Sequence, residues 1–170
     1  NGFEVIAPSR FGYLRSAFPA DPSPQNQADA LVDLLDALGI DRIPVAGGSA
    51  GALPAAHFAL RHPDRCSHLI LIVPAMNLSN RDPVEFSRLQ QFFVRNLLSS
   101  DFWFWAALKL APNQLLGTLL ATDPALLASV PAAERERAGL VLKDLMPISR
   151  RANGIANDGR FAGSPAEIDF

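Results

Sequence analysis

Apolar residues in the first half of the chain are concentrated in three short runs. The first is Phe3 to Ala7, closed by Pro8; the others are Arg42 to Ala46 and His68 to Val73. The last run has no polar alternation, which is typical of parallel strands that are covered on both faces. These runs predict three strands.

Segments with helical spacing separate the second strand from its neighbours. Ser23 is a suitable N-cap with Pro24 at the first helical position, and Gly39 is a natural helix stop. Residues 50–61 predict a second helix, apolar nearly all round and therefore buried, which ends at His62. Alternating strands and helices with short connections indicate an α/β domain with a parallel sheet. Three- and four-residue steps predict one buried face on the first helix: Ala28, Leu31, Val32, Leu35 and Leu38.

The second half of the chain has a different pattern. Residues 82–156 contain helical patterns without a convincing strand, separated by prolines, and half of the aromatic residues of the chain lie here. This segment is predicted to be a helical insertion over the sheet domain. The prolines and the densest aromatic cluster are Pro112, Pro124, Pro131, Pro147 and Phe102 to Trp105.

The composition narrows the classes of function. A net charge of −2 over 170 residues offers no electrostatic attraction for nucleic acid or an anionic membrane surface. The most apolar stretch, residues 97–122, is interrupted by polar residues, whereas a membrane span needs about 20 nearly uninterrupted apolar ones. The single Cys66 forms no disulfide framework or cysteine metal site, and favours a cytoplasmic location. We expect a small-molecule substrate and no metal or organic cofactor. No feature indicates an oligomeric state.

The glycine-rich turn "AGGSAG", residues 46–51, carries the candidate chemistry. A strand that enters a helix through one residue, here Ser49, forces that residue into a strained backbone and lifts its side chain above the carboxyl ends of the strands. Strand and helix nearly touch there, so Gly47 and Gly51 keep the contact free of side chains. Gly48 completes the turn. The Ala50 amide, at the helix N-terminus, can stabilise an oxyanion.

The turn has two other interpretations. One is a structural Gly-Ser turn without chemistry. The other is a dinucleotide-binding turn, since Ala46, Gly48 and Gly51 form a degenerate G-x-G-x-x-G pattern. That fold needs an acidic residue about 20 positions further on to bind a ribose hydroxyl, and residues 69–74 contain no carboxylate. The pattern therefore favours Ser49 as a nucleophile.

Three segments resemble the α/β-hydrolase fold family, in its cap-bearing branch of esterases, proline iminopeptidases and haloperoxidases. They are "GFEVIAPSRFGYLRS" (2–16), "VAGGSAG" (45–51) and "ALRHPDRCSHLILIVPA" (59–75). The resemblance implies a partial hydrolase core over residues 1–75, a helical cap over 76–165 and a return to the core at 166–170. It also implies that a further strand lies between the strands at 3–7 and 42–46, so we expect a gap in the sheet and low stability.

The resemblance implies a Ser-acid-His triad in which only the serine lies within these residues. The acid and the histidine are expected beyond Phe170, and a second oxyanion donor before Asn1. None of the histidines present can serve instead: His57 is about 12 Å along the helix from Ser49 at 1.5 Å per residue, His62 is farther, and His68 starts a strand at the opposite end of the sheet.

For the other candidate residues a structural role is favoured over a catalytic one. Asp82 or Asn77 follow the strand where some relatives take their acid, but without a histidine to orient, Asp82 is a weak candidate. Cys66 is expected to fill the core, and the Phe102 to Trp105 cluster to form the core of the cap with part of it facing the cleft. Two further groups complete the set: Arg10, Tyr13 and Arg15 are expected to brace a loop, and Asn157, Asp158 and Arg160 receive no role.

The resulting hypothesis is a serine hydrolase that acts on an ester or amide of a small, hydrophobic substrate through an acyl-enzyme on Ser49. The 170 residues alone are expected to be inactive. Two alternatives stay open: a non-hydrolytic enzyme of the same fold, such as a perhydrolase or lyase, and a catalytically inactive binding protein.

Overall fold

The computed structural model describes residues 2, 4–75, 96–120, 126 and 129–162. The chain divides into two compact units, residues 1–85 with 153–170 and residues 86–152. The predicted domain boundaries at 75 and 165 stay a prediction. The regular elements are α1 (Pro24–Ala37), β1 (Ile43–Gly48), α2 (Ala52–Arg61), β2 (Cys66–Ile72), α3 (Asp101–Leu110), α4 (Pro112–Leu120), α5 (Ala132–Asp144) and α6 (Ala152–Ala162), with 3₁₀ turns at Ser49–Gly51 and Ile148–Arg151.

The first unit is built on a parallel pair of strands. β1 and β2 pair from Ile43 opposite Cys66 to Gly48 opposite Ile72, and α2 makes the crossover between them. Local signals set the ends of α1: the Ser23 hydroxyl accepts from the Asn26 amide at 3.2 Å, and Gly39 follows with φ 67°. The predicted N-cap, helix stop and parallel sheet are therefore confirmed.

The core of this unit lies between one face of the sheet and the two helices. Ala28, Leu35 and Phe58 are buried at its centre, and Cys66 packs against them as predicted. α2 is buried along most of its length, also as predicted. Leu38 departs from the expected face of α1: it is the C-cap residue and is exposed, because the helix has ended before its side chain reaches the core.

The opposite face of the sheet is open among the described residues. Ile70 and Ile72 are 51% and 57% exposed and alternate with the half-buried Leu69 and Leu71. The continuous apolar run predicted a strand covered on both faces; in the described structure only one face is covered, because both α1 and α2 pack on that side.

The predicted strand at residues 3–7 does not form. Residue 3 lies outside the described residues, and residues 4–7 have no strand pairing, with Val5 82% exposed. A strand exists only through its ladder of hydrogen bonds. The described sheet contains only β1 and β2, so this apolar segment has no neighbour with which to form a ladder.

The described part of the second unit is helical, as the sequence predicts. Prolines mark the starts of its elements: Pro112 begins α4, Pro131 is the N-cap of α5 and Pro147 precedes a 3₁₀ turn, whereas Pro124 lies outside the described residues. The Asp101 carboxylate in the first turn of α3 accepts from the Ser149 amide and hydroxyl at 2.8 and 2.9 Å. The buried apolar side chains in the described part of the second unit are Leu98, Phe104, Leu115, Leu116, Leu142 and Ile148.

The end of β1 and the start of α2 approach each other very closely. A Cβ at Gly47 would lie 2.7 Å from the Ala55 Cβ and 2.8 Å from the Ala52 Cα, and would also clash with the Gly51 carbonyl oxygen. None of these groups is the end of a flexible side chain, so none can move without shifting the helix. Gly47 is therefore required by packing.

We expect Gly47→Ala to lower the free energy of unfolding by about 1–3 kcal/mol, the usual cost of overpacking a core. Gly48→Ala is the matched control, because a Cβ there meets only the Ile72 carbonyl oxygen at 3.9 Å. Urea denaturation of both variants measures the difference. Equal destabilisation by the two substitutions would contradict the close approach described here.

Candidate active site

Ser49 stands at the carboxyl end of β1, between the strand and α2. Its backbone has φ 48°, a left-handed conformation uncommon for a residue with a side chain, and its side chain is exposed. The Ser49 carbonyl accepts hydrogen bonds from the Ala52 amide and, at 3.1 Å, from the Ala75 amide beyond β2. These bonds hold the strained residue at the edge of the sheet, where the sequence predicts the nucleophile.

The other residues of the turn have distinct environments. Gly48 is extended, with φ −105° and ψ 141°, and ends β1. A Cβ at Gly51 would meet the Arg10 Nε at 3.9 Å, an ordinary contact, so among the described residues Gly51 lacks the packing requirement seen at Gly47. Ala50 is half-buried in the 3₁₀ turn that leads into α2. Its amide therefore lies at the end where unpaired N–H groups create a positive field.

A small cavity opens beside Ala50 within the first unit. Its walls come from residues 10–24, from α1, from α2 and from α6, and Ser49 is not among the lining residues. The wall combines apolar side chains with four polar or charged ones, which supply much of its surface. The lining residues are Arg10, Phe11, Pro22, Pro24, Gln27, Ala50, Leu53, Pro54, Asn157, Asp158 and Phe161.

A charged cluster forms the polar wall of this cavity. Both terminal nitrogens of Arg10 donate to the Asp158 carboxylate, at 2.5 Å each, and the Tyr13 hydroxyl donates to the same carboxylate. The guanidinium also lies over the Tyr13 ring, 4.9 Å from its centre. Burial raises the pKa of Tyr13, and the hydrogen bond to Asp158 raises it further. Arg10 and Tyr13 thus brace a loop, as predicted; Arg15 is exposed.

The loop of residues 8–23, here called the Arg10 loop, is attached to both α1 and α6. The Phe11 amide donates to the side-chain oxygen of Gln27, the buried polar residue of α1. On the other side, the Gly154 amide donates to the Gly12 carbonyl at 3.1 Å, and the Asn157 side chain donates to the Pro22 carbonyl at 2.8 Å. The sequence alone indicates no role for Asp158 or Asn157, because their partners are more than 130 residues away along the chain.

The histidines are not placed at the turn. The His62 ring contacts the Asp29 carboxylate at 2.7 Å, and His68 is exposed near the amino end of β2. His57 lies within α2, where partial burial and then the Arg61 charge lower its pKa. Asn77 and Asp82, the weak candidates for the acid, lie outside the described residues. Within the described ranges no cluster of three or more histidine, cysteine or acidic side chains could hold a metal.

The aromatic cluster of α3 is divided between core and surface. Phe104 is buried, which agrees with a core role, whereas Phe102, Trp103 and Trp105 are exposed. Phe102 contacts both tryptophans, edge-on to Trp103 with 5.1 Å between the ring centres.

None of the helices that the structure describes is long and apolar enough to cross a membrane.

A comparison of the sequence with known protein families identifies the family of this chain. The model of the alpha/beta hydrolase fold matches residues 1–129. The chain belongs to the α/β-hydrolase fold family.

The relatives of this α/β-hydrolase chain are named for several different activities. It is 32% identical to an epoxide hydrolase of Caballeronia sordidicola over 80% of this chain and 41% of that protein. It is 46% identical to a homoserine O-succinyltransferase of Leptothrix cholodnii over 32% of this chain and 15% of that protein. A 2-hydroxy-6-oxo-6-phenylhexa-2,4-dienoate hydrolase of Burkholderia cepacia is 34% identical over 49% and 31%. The chain spans less than half the length of each of these relatives.

The left-handed backbone of Ser49 leads to a prediction about the free energy of unfolding of two variants. Ser49→Gly is expected to be more stable than Ser49→Ala by about 1 kcal/mol, because glycine adopts a positive φ without strain and alanine does not. Both variants lack the hydroxyl, so their difference reports the backbone alone. Urea denaturation measures it, and an equal or reversed order would contradict the strain at Ser49.

The environment of Tyr13 leads to a prediction about the pH at which its hydroxyl ionises. It is the single tyrosine of the chain, so tyrosinate absorbance near 295 nm reports it alone. We expect ionisation in the folded chain well above the ordinary pKa of about 10, because burial and then Asp158 raise the pKa of Tyr13.

The raised pKa of Tyr13 also sets how stability depends on pH. Its contribution to stability is fully present below a pH of about 10 and is lost as the pH rises through the folded-state pKa. Asp158→Asn removes the carboxylate that the hydroxyl binds and should lower the midpoint of ionisation. A midpoint near 10 in the folded wild-type chain would contradict the cluster.

Proposed function

We propose that Ser49 is the nucleophile of a serine hydrolase that acts on ester or amide substrates. The observation that carries this proposal is the position of Ser49: an exposed side chain on a left-handed backbone, at the carboxyl end of a parallel strand and directly before a helix. Membership of the α/β-hydrolase fold family supports it. Ser49, with Gly47, Gly48 and Gly51 around it, would act as the nucleophile elbow, and the Ala50 amide as one oxyanion donor.

The proposed reaction has two steps. The Ser49 Oγ bonds to the substrate carbonyl carbon while its proton passes to a histidine base, which the family resemblance leads us to expect beyond Phe170. The Ala50 N–H stabilises the oxyanion, the bond to the leaving oxygen or nitrogen breaks, and the leaving group takes the proton. Water then attacks the acyl-enzyme, which releases the acid and restores the serine hydroxyl.

A serine at this position favours acyl chemistry over the opening of epoxides. Attack of a hydroxyl on an epoxide carbon would leave an ether on the enzyme, which water does not cleave under mild conditions. Attack on a carbonyl carbon leaves an ester, which water hydrolyses. The similarity to an epoxide hydrolase therefore supports the family rather than that substrate class.

The substrate is proposed to be small and hydrophobic, and the enzyme cytoplasmic. The family resemblance, which implies a helical cap over residues 76–165, supports an apolar substrate, and α3 within that segment carries exposed aromatic side chains. The name of the Burkholderia cepacia relative describes a hydrolase of a phenyl-substituted dienoate, a compound of that kind.

A second candidate is acyl transfer to an alcohol instead of water. The 46% identity to a homoserine O-succinyltransferase over 56 residues favours it. Both reactions share the acyl-enzyme on Ser49 and differ in the second step. Product analysis with an added alcohol acceptor distinguishes them, because hydrolysis yields the free acid and transfer yields a new ester.

In the complete protein, a fluorophosphonate probe is expected to label Ser49. The Ser49 Oγ bonds to phosphorus, fluoride leaves, and the hydroxyl proton passes to the base. Mass spectrometry of the labelled peptide checks the site. Ser49→Ala should abolish labelling, whereas Ser99→Ala, at a serine whose hydroxyl donates to the Asn96 carbonyl, should label like the wild type. Absence of labelling in a folded wild-type protein would contradict the nucleophile.

A further inference from the structure

Arg10 connects the candidate turn with the last described helix. A Cβ placed at Gly51 would lie 3.9 Å from the Arg10 Nε, so the Arg10 side chain is next to the 3₁₀ turn of Ser49–Gly51. Arg10, Ala50 and Asp158 line the same cavity. The side chain is therefore adjacent to the segment that carries the proposed oxyanion donor.

Asp158 sets the position of this guanidinium. The two side chains are 28% and 15% exposed, and they share two parallel hydrogen bonds, the most directional geometry available to an arginine and a carboxylate. The amino end of α2 carries partial positive charge, so an unpaired guanidinium beside it would be repelled. The carboxylate removes that repulsion as well as fixing the geometry.

Asp158 is in turn held from several sides. The Tyr13 hydroxyl donates to it, and the Tyr13 ring covers Gly154 so closely that a Cβ there would overlap the ring. The bonds from Gly154 to Gly12 and from Asn157 to Pro22 tie α6 to the Arg10 loop. Exposed ion pairs seldom fix a geometry, but this one is partly buried and supported by neighbouring bonds.

We propose that Asp158 is a positioning residue of the candidate active site, which holds Arg10 against the turn that carries Ser49 and Ala50. This inference rests on the proposed function of Ser49. Asp158 touches no reacting atom; its carboxylate acts through Arg10 on the geometry of the first turn before α2.

The test compares labelling rates of Ser49 in the complete protein. Asp158→Asn and Arg10→Gln should each slow fluorophosphonate labelling on the order of tenfold or more, since small displacements of catalytic groups have large effects on rate. The double variant should be no slower than the slower single variant, because both substitutions break the same connection. Arg10→Lys keeps the charge without the paired geometry and should rescue little.

Asp29→Asn is the matched control. Asp29 also accepts two hydrogen bonds from one arginine, Arg61, at 2.9 and 2.7 Å, and these side chains join α1 to α2 away from the turn. At comparable loss of stability, measured by urea denaturation, this variant should label within about twofold of the wild type. If it slows labelling as much as Asp158→Asn does, the effect is general destabilisation and the positioning role is wrong.

The remaining outcomes separate the two proposals. If the wild type does not label, the proposed nucleophile fails and the positioning role fails with it. If the wild type labels and Asp158→Asn labels equally fast, only the positioning role fails. If Asp158→Asn accelerates labelling while Arg10→Gln slows it, Arg10 acts through its free charge and positioning is again wrong. Ionisation of Tyr13 at lower pH in Asp158→Asn shows that the cluster has been broken in the variant that is being compared.

Discussion

The contact between the end of β1 and the first turn of α2 determines the backbone of the turn that carries Ser49. At Gly47 the two elements are so close that no side chain fits between them. The chain must then reverse direction within one residue, and Ser49 takes the left-handed conformation that this requires. Strain of this kind persists only where the surrounding packing stabilises it. Here the buried side of α2 supplies that packing.

Features that depend on neighbouring residues could be predicted from the sequence. The N-cap at Ser23, the stop at Gly39 and the turn around Ser49 arise from backbone preferences and short-range hydrogen bonds, and all three occur where the pattern places them. The parallel pairing of β1 with β2 follows from the crossover helix between them. Membership of the α/β-hydrolase fold family, indicated by the turn and its flanking segments, is confirmed by the match over residues 1–129.

Features that depend on distant partners could not be predicted in this way. The apolar run at residues 3–7 has strand composition, but composition does not supply a neighbouring strand. Asp158 looks like an ordinary helical surface residue until the fold brings Arg10 and Tyr13 to it. The same holds for Gln27, whose polar side chain lies on the buried side of α1 because the Phe11 amide needs an acceptor there.

The open face of the sheet has a consequence for the handling of the chain. Ile70 and Ile72 lie opposite Ala46 and Gly48 of β1. Each strand of the described sheet also has one unpaired edge. Apolar side chains next to free backbone donors and acceptors are the usual starting point for intermolecular strand pairing. We therefore expect self-association of this chain to depend on the exposed face of β2, which ends beside the turn at Ser49, because Ile72 lies opposite Gly48.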